Sequence, residues 1–275
     1  MSKPKLLGGA ALRDLFERHD FVPSKSLGQN FVIDPNSIRK VVAAAQLNPQ
    51  DSILEIGAGA GSLTLELAAT VDRVVAVEFD RALLPILAET LTGLTNVGVV
   101  HADALDFELS SVDATKLVAN LPDNIATPVI LKALEEAPQI QEMTVMTQRE
   151  AGERLVAGPG SKVYGSPSVV VAFYADARIV ADVSRRAFHP VPRVDSVIVR
   201  IERKPELPDV GPRIFVEIVR AAFGQRRKAL RNALAKKAGT ATKAEQALRA
   251  AGIDPRLRAE QVEPELFASL AREFD

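Results

Sequence analysis

The chain contains no cysteine, which excludes disulfides, thiolate metal sites and thiol nucleophiles and makes a cytoplasmic enzyme the plain expectation. It also lacks any apolar run near the roughly 20 residues needed to span a bilayer, so no membrane contact is expected. Its first residues, from Met1 to Phe16, are basic and then mildly apolar. They have neither a long apolar core nor a small-residue cleavage site, and so read as part of the mature protein. Internal repeats and low-complexity segments are missing as well. The histidines His19, His101 and His189 stand far apart in sequence, so no metal site is expected.

What is present is an ordinary globular composition. With 275 residues, 47% hydrophobic and 25% charged, the chain can bury a sizeable core and has room for one large domain and a small one. The net charge of −1 hides an uneven distribution. Between Asp51 and Glu108, 10 carboxylates face only Arg73 and Arg81. Between Arg213 and Lys237, 8 basic residues face only Glu217. Such a basic run is either a solvated helix face or a footprint for phosphates, and the rest of the chain must decide which.

From about residue 51, short β-rich runs alternate with helical patterns, which predicts an α/β fold with a parallel sheet covered on both faces. The expected strands are 52–56, 73–78, 97–100, 116–119 and 143–147, with helices near 62–69, 81–91, 126–136 and 148–156. A Val- and Ile-containing run follows at 177–183. Residues 195–202 alternate as a half-buried strand should and are expected to pair antiparallel. Three prolines and a glycine between Arg203 and Pro212 predict a linker, beyond which helices are expected at 212–222, 226–237, 242–251 and 263–273. The expected domains are therefore 1–205, including an N-terminal cap over 1–50, and an all-helical 206–275.

Gly57, Gly59 and Gly61 follow a predicted strand and open a helix, where a glycine-rich turn lets a ligand approach the backbone. The spacing is not that of the dinucleotide fingerprint. Glu78 ends the next strand, where a carboxylate can accept from both ribose hydroxyls of an adenosine. Asp103, just past the third strand, can accept from an adenine amine or can cap a helix. All three elements lie at the carboxyl ends of successive strands, where open α/β sheets bind ligands. Asn120-Leu121-Pro122-Asp123 begins at the end of the fourth strand and puts a loop beside that site.

This last motif resembles the Asn-Leu-Pro-Tyr motif of adenine amino-methyltransferases, and the whole chain resembles the small-subunit (16S) ribosomal RNA adenine dimethyltransferases, the KsgA/RsmA family. The similarity extends through Lys25–Asp34, Leu54–Thr64, Arg154–Gly165, Phe188–Ser196, Phe223–Asn232 and Gly252–Glu260, in the family's order. The resemblance implies a Rossmann-like class I methyltransferase sheet with a small helical domain. It also implies S-adenosyl-L-methionine as methyl donor, with cofactor contacts at Asn30, Val32, Gly57, Gly59, Glu78, Asp103 and Asn120. The implied reaction is dimethylation of two adjacent adenosines near the 3′ end of small-subunit rRNA, linked to ribosome assembly and carried out by a monomer.

The exocyclic amine of adenine is a poor nucleophile because its lone pair is delocalised into the ring. Two acceptors, the Asn120 side chain and the Pro122 backbone oxygen, are expected to hold its hydrogens and aim the lone pair. The stiff proline keeps the carbonyl directed, and no strong general base is required. A flipped base also needs flat surfaces to rest on. Phe188 is expected to supply one face, or else to be a core phenylalanine beside a proline turn. Family enzymes place an aromatic residue after Leu-Pro for the other face, and here Asp123 stands instead.

With RNA implied, Arg226, Arg227, Lys228 and Arg231 become expected phosphate contacts, Arg227 and Arg231 sharing one helix face. Three other readings stand beside this one. The first is a catalytically impaired assembly factor that binds the small subunit. The second is a large-subunit rRNA adenine methyltransferase of the macrolide-resistance type. The third is a nucleotide-dependent oxidoreductase, which has no use for Asn-Leu-Pro after strand four.

Overall fold

The computed structural model describes residues 6–275, so the basic start of the chain, Met1 to Lys5, lies outside the described residues. The chain forms two compact units, the first comprising 6–152 and 178–202, the second 153–177 and 203–275. This division does not follow a single cut after residue 205. Segment 153–177 belongs with the C-terminal helices, joined to them by the Phe173–Phe215 stack, with centroids 3.9 Å apart, and by the Tyr164 hydroxyl, which donates to the Val262 carbonyl at 2.8 Å.

The strands of the described residues are β1 (Phe31–Val32), β2 (Ser52–Ile56), β3 (Arg73–Glu78), β4 (Val97–His101), β5 (Lys116–Asn120), β6 (Glu142–Gln148), β7 (Ala175–Val183), β8 (Phe188–His189) and β9 (Ser196–Arg203), all in the first unit apart from 175–177 of β7 and Arg203 of β9. The main sheet has the order β4-β3-β2-β5-β6-β9-β7, parallel from β4 to β6. From β2 the chain steps outward to β3 and β4, then returns to the other side of β2 with β5 and β6. The reversal leaves a crevice at the carboxyl ends of β2 and β5. β1 and β8 pair antiparallel as a separate ribbon.

Helices α1 (Gly9–Arg18), α2 (Pro35–Ala44), α3 (Ser62–Ala68), α4 (Leu84–Thr90), α5 (Asp123–Glu136) and the start of α6 (Arg149–Val156) belong to this unit. α2 opens on Asp34, whose carboxylate accepts from the backbone N–H groups of Asn36 and Ser37. Its Ile38 and Val41 pack with Ile53, Val74, Val118 and Ile198 of the sheet.

The antiparallel partner of β6 is β9, as expected, but β9 is buried from Ser196 through Ile201 rather than half-buried. Its buried arginine is paired through one guanidinium nitrogen, while its Nε has no hydrogen-bond partner among the described residues. Arg200 lies 2.8 Å from both Glu142 and Glu202, so charge alternation here marks a buried ion network and not a solvent face. The alternating strand is β7 at the sheet edge.

The second unit contains α7 (Ser166–Tyr174), α8 (Pro212–Gly224), α9 (Leu230–Ala233), α10 (Ala235–Ala238), α11 (Ala241–Ala250) and α12 (Pro264–Arg272). The single helix expected over 226–237 is instead a turn at 225–228 followed by two one-turn helices. The backbone N–H groups of Leu230 and Arg231 donate to Leu257 and Pro255, tertiary partners that replace a preceding helical turn. Among the described residues, no helix is long and apolar enough to cross a membrane.

Candidate active site

The glycine turn is fixed by backbone geometry. Gly57, Gly59 and Gly61 have φ of 76°, 60° and 87°, a left-handed path that L side chains rarely adopt. The Gly57 N–H donates to Val77 at 2.8 Å, tying the turn to β3. A Cβ on Gly59 would meet the Phe31 ring at 3.3 Å, so the turn lies close against β1.

Glu78, at the end of β3, accepts from the N–H groups of Gly59 and Asp80, each at 2.8 Å. Burial pushes its carboxyl above the usual range, and these two donors oppose the shift. A cavity of about 210 Å³ opens over the turn, with Gly57, Gly59, Glu78, Asp103 and Asn120 in its wall. Asp103 caps a turn and not a helix, and it lies in the cavity wall. One carboxylate oxygen accepts from Leu105 N–H at 2.8 Å as a turn cap, while the residue still lines the cavity.

Two expected cofactor contacts are placed differently. Val32 is 3% exposed, packs in the core cluster and does not line the cavity; Phe31 and Gln29 do. Successive residues of an extended segment face opposite sides, so a cavity-facing Phe31 turns Val32 inward. Asn30 lines an adjoining recess instead of the cavity. Sequence reasoning missed Gln29, Phe31, Phe79 and Asp80. The alternation Gln29, Phe31 in the N-terminal motif was the available signal.

The recess, about 40 Å³, brings together Asn30, Asn120, Leu121, Pro122, Asp123 and Phe188. Asn120 and Pro122 line both spaces. The Asn120 side-chain nitrogen donates to the Asn30 carbonyl at 3.5 Å, which leaves its oxygen to accept. Phe188 is 2% exposed and packed in the core, in line with one of the two readings expected, and it also lines the recess.

The Pro122 carbonyl, expected as the second acceptor, is already engaged. It receives the N–H groups of Ile125 at 3.2 Å and Ala126 at 3.0 Å, because α5 begins at Asp123 and not near 126. The Leu121 carbonyl has no donor among the described residues. Its peptide is the one Pro122 stiffens, since a residue before proline is held extended. Asp123 is the exposed first residue of α5, where the helix dipole favours a carboxylate.

Beneath the turn, Glu55 is fully buried, and neither carboxylate oxygen has a hydrogen-bond partner. Burial pushes its carboxyl up to about 8, reinforced by the charge of Glu78.

In the second unit the four expected phosphate contacts separate. Arg226 is a structural tie, donating to Glu260 at 2.8 Å and to the carbonyls of Lys162 and Tyr164 at 3.1 and 3.2 Å. Arg231 stands 3.7 Å from Glu245. Arg227 and Lys228 are exposed on the turn with no ion pair among the described residues. Arg227 and Arg231 thus do not share a helix face, because Arg227 precedes the helix.

The family described as Ribosomal RNA adenine dimethylase matches residues 22–275. A Ribosomal RNA small subunit methyltransferase A from Kineococcus radiotolerans is 48% identical over 272 residues, covering 97% of this chain and 91% of that protein. Its counterpart in Thermobifida fusca is 46% identical, covering 97% and 96%. A dimethyladenosine transferase from Plasmodium falciparum shares the fold with a TM-score of 0.76 at 24% identity, covering 89% of this chain and 97% of that one. The 23S rRNA methyltransferase ErmE superposes with a TM-score of 0.68 at 31% identity, covering 90% and 100%.

Proposed function

The chain belongs to the ribosomal RNA adenine dimethylase family, and from that premise we propose that it transfers methyl groups from S-adenosyl-L-methionine to the exocyclic amine of two adjacent adenosines near the 3′ end of small-subunit rRNA. The observation that carries this reading is that Asn120 and Pro122 line both the cavity and the recess, so two bound groups would meet at one loop. The cavity fits an adenosyl cofactor: a side-chain-free turn at Gly57 and Gly59, buried Glu78 for ribose hydroxyls, and Asp103 with one oxygen uncommitted for an adenine amine. When bound, that group supplies an electrophilic methyl on a sulfonium.

The protein's part is orientation. The Asn120 side-chain oxygen and the Leu121 carbonyl hold the two amine hydrogens and direct the nitrogen lone pair toward the cavity. Phe188 offers one face to the base, and Asp123 offers none. A proton released on attack leaves to water. Arg227 and Lys228, unpaired on their turn, contact rRNA phosphates and leave sequence recognition to RNA shape. One chain carries both spaces in its first unit, which suits a cytoplasmic monomer acting during ribosome assembly.

Curated relatives at 43–48% identity carry the small-subunit name, against 31% for ErmE, and this favours the small subunit as substrate. The exposed Asp123 in place of an aromatic favours a second reading, an assembly factor with little methylating activity. Labelled methyl transfer to immature small subunits, read at nucleotide resolution, separates the two. Label on paired adenosines of small-subunit rRNA supports the enzyme; no label with retained subunit binding supports the assembly factor.

A further inference from the structure

Segment 24–30 folds on itself before it reaches β1. The Gln29 N–H donates to the Ser24 carbonyl at 3.2 Å and the Gly28 N–H to Lys25 at 3.1 Å. The Gln29 side chain closes the same turn, accepting from Ser24 N–H at 2.7 Å. Only an oxygen can accept there, so the amide nitrogen faces the other way. It donates to the Asp80 carboxylate at 2.7 Å. The second Asp80 oxygen accepts from Ala82 N–H at 3.0 Å, and the Asp80 N–H donates to Glu78.

On its other flank the segment touches the acceptor loop. A Cβ on Gly28, at φ 66°, would meet Pro122 at 3.2 Å, and the Asn30 carbonyl receives Asn120. The segment therefore bridges the carboxylate at the end of β3 and the loop after β5, and the Gln29–Asp80 bond is its side-chain anchor to the former. We propose that Gln29 and Asp80 form a latch, a positioning pair that holds this strap against the cavity and sets how tightly the cofactor is retained. The inference rests on the cofactor reading given above.

The polarity of the latch supplies its test. Gln29→Glu keeps the shape and the Ser24 acceptor but sets a carboxylate against Asp80. Adding Asp80→Asn restores one donor and one acceptor with the direction reversed, and Asn at 80 can still cap Ala82. Calorimetric titration with S-adenosylhomocysteine is expected to give a Kd about tenfold or more higher for Q29E, recovering most of the loss in Q29E/D80N. Unfolding temperatures measured without ligand distinguish this from general destabilisation, and D80N alone, which opposes two donors, carries the test if Q29E does not fold. An unchanged Kd in the single variant, or a loss the double variant does not recover, overturns the latch while wild-type binding upholds the cofactor reading. Absence of wild-type binding overturns both.

Discussion

The glycine turn after β2 and the acceptor loop after β5 occupy equivalent places on neighbouring parallel strands, yet they are built from opposite materials. The turn presents backbone, with three left-handed glycines and the Gly59 amide that donates to Glu78. The loop presents specific groups: one side-chain oxygen, one carbonyl, and the residue that starts α5. A site made of backbone accommodates many neighbours and fails through strain. A site made of side chains depends on each identity, and Asp123 stands at such a position.

The contrast can be broken in four ways, from the largest expected effect downward. Asn120→Ala removes the aimed acceptor, and single-turnover methyl transfer is expected to fall about 100-fold or more, with a much smaller change in S-adenosylhomocysteine affinity. Equal losses in both would make the loop a cofactor element like the turn. Asp123→Tyr restores a stacking surface and is expected to raise methyl transfer to unmethylated small subunits by about 5-fold to 200-fold. An equal or lower rate would show that the carboxylate at the start of α5 is not what limits the recess.

Glu55, under the glycine turn, links that region to pH. Its buried carboxyl holds a proton up to about 8, whereas in the unfolded chain it loses it near the usual 4.5. The raised folded value means the stabilisation is fully present below 4.5 and is lost as pH rises toward 8, by roughly 1.4 kcal/mol per pH unit. Glu55→Gln has no proton to lose. Urea midpoints of the wild type should therefore fall more steeply than those of the variant between pH 5 and 8, and parallel curves would place the ionised form in the fold. Gly59→Ala, the mildest change, forces a side chain onto φ 60° beside Phe31 and is expected to lower cofactor affinity about fivefold through roughly 1 kcal/mol of strain. Its effect should be on KM for the cofactor, leaving kcat at saturation near the wild-type value.

Much of the parallel sheet was legible because each strand is a short apolar run between turn signals; 52–56 and 73–78 are observed with the expected bounds. The start of α5 was not. Asn124 argues locally against a helix, and the first turn is held by Pro122 accepting two N–H groups. That unseen turn engages the Pro122 carbonyl and is the reason Leu121 is proposed as the second amine acceptor in its place. The basic segment misled in the opposite direction. Arginine and lysine are good helix formers, but Arg226 is drawn to Glu260 and two carbonyls, and the chain turns there.

The sequence by itself determined the order of the parallel strands β2 to β6, the family, and the residue types at the strand ends, since these follow from local pattern and motif spacing. Only the tertiary structure decided which neighbour of a pair lines the cavity, Phe31 and not Val32, and which arginine has no ion pair among the described residues, Arg227 and not Arg226. Those outcomes depend on partners more than 30 residues away, Glu260 for Arg226 and Phe188 for Val32, and no local pattern records a distant partner.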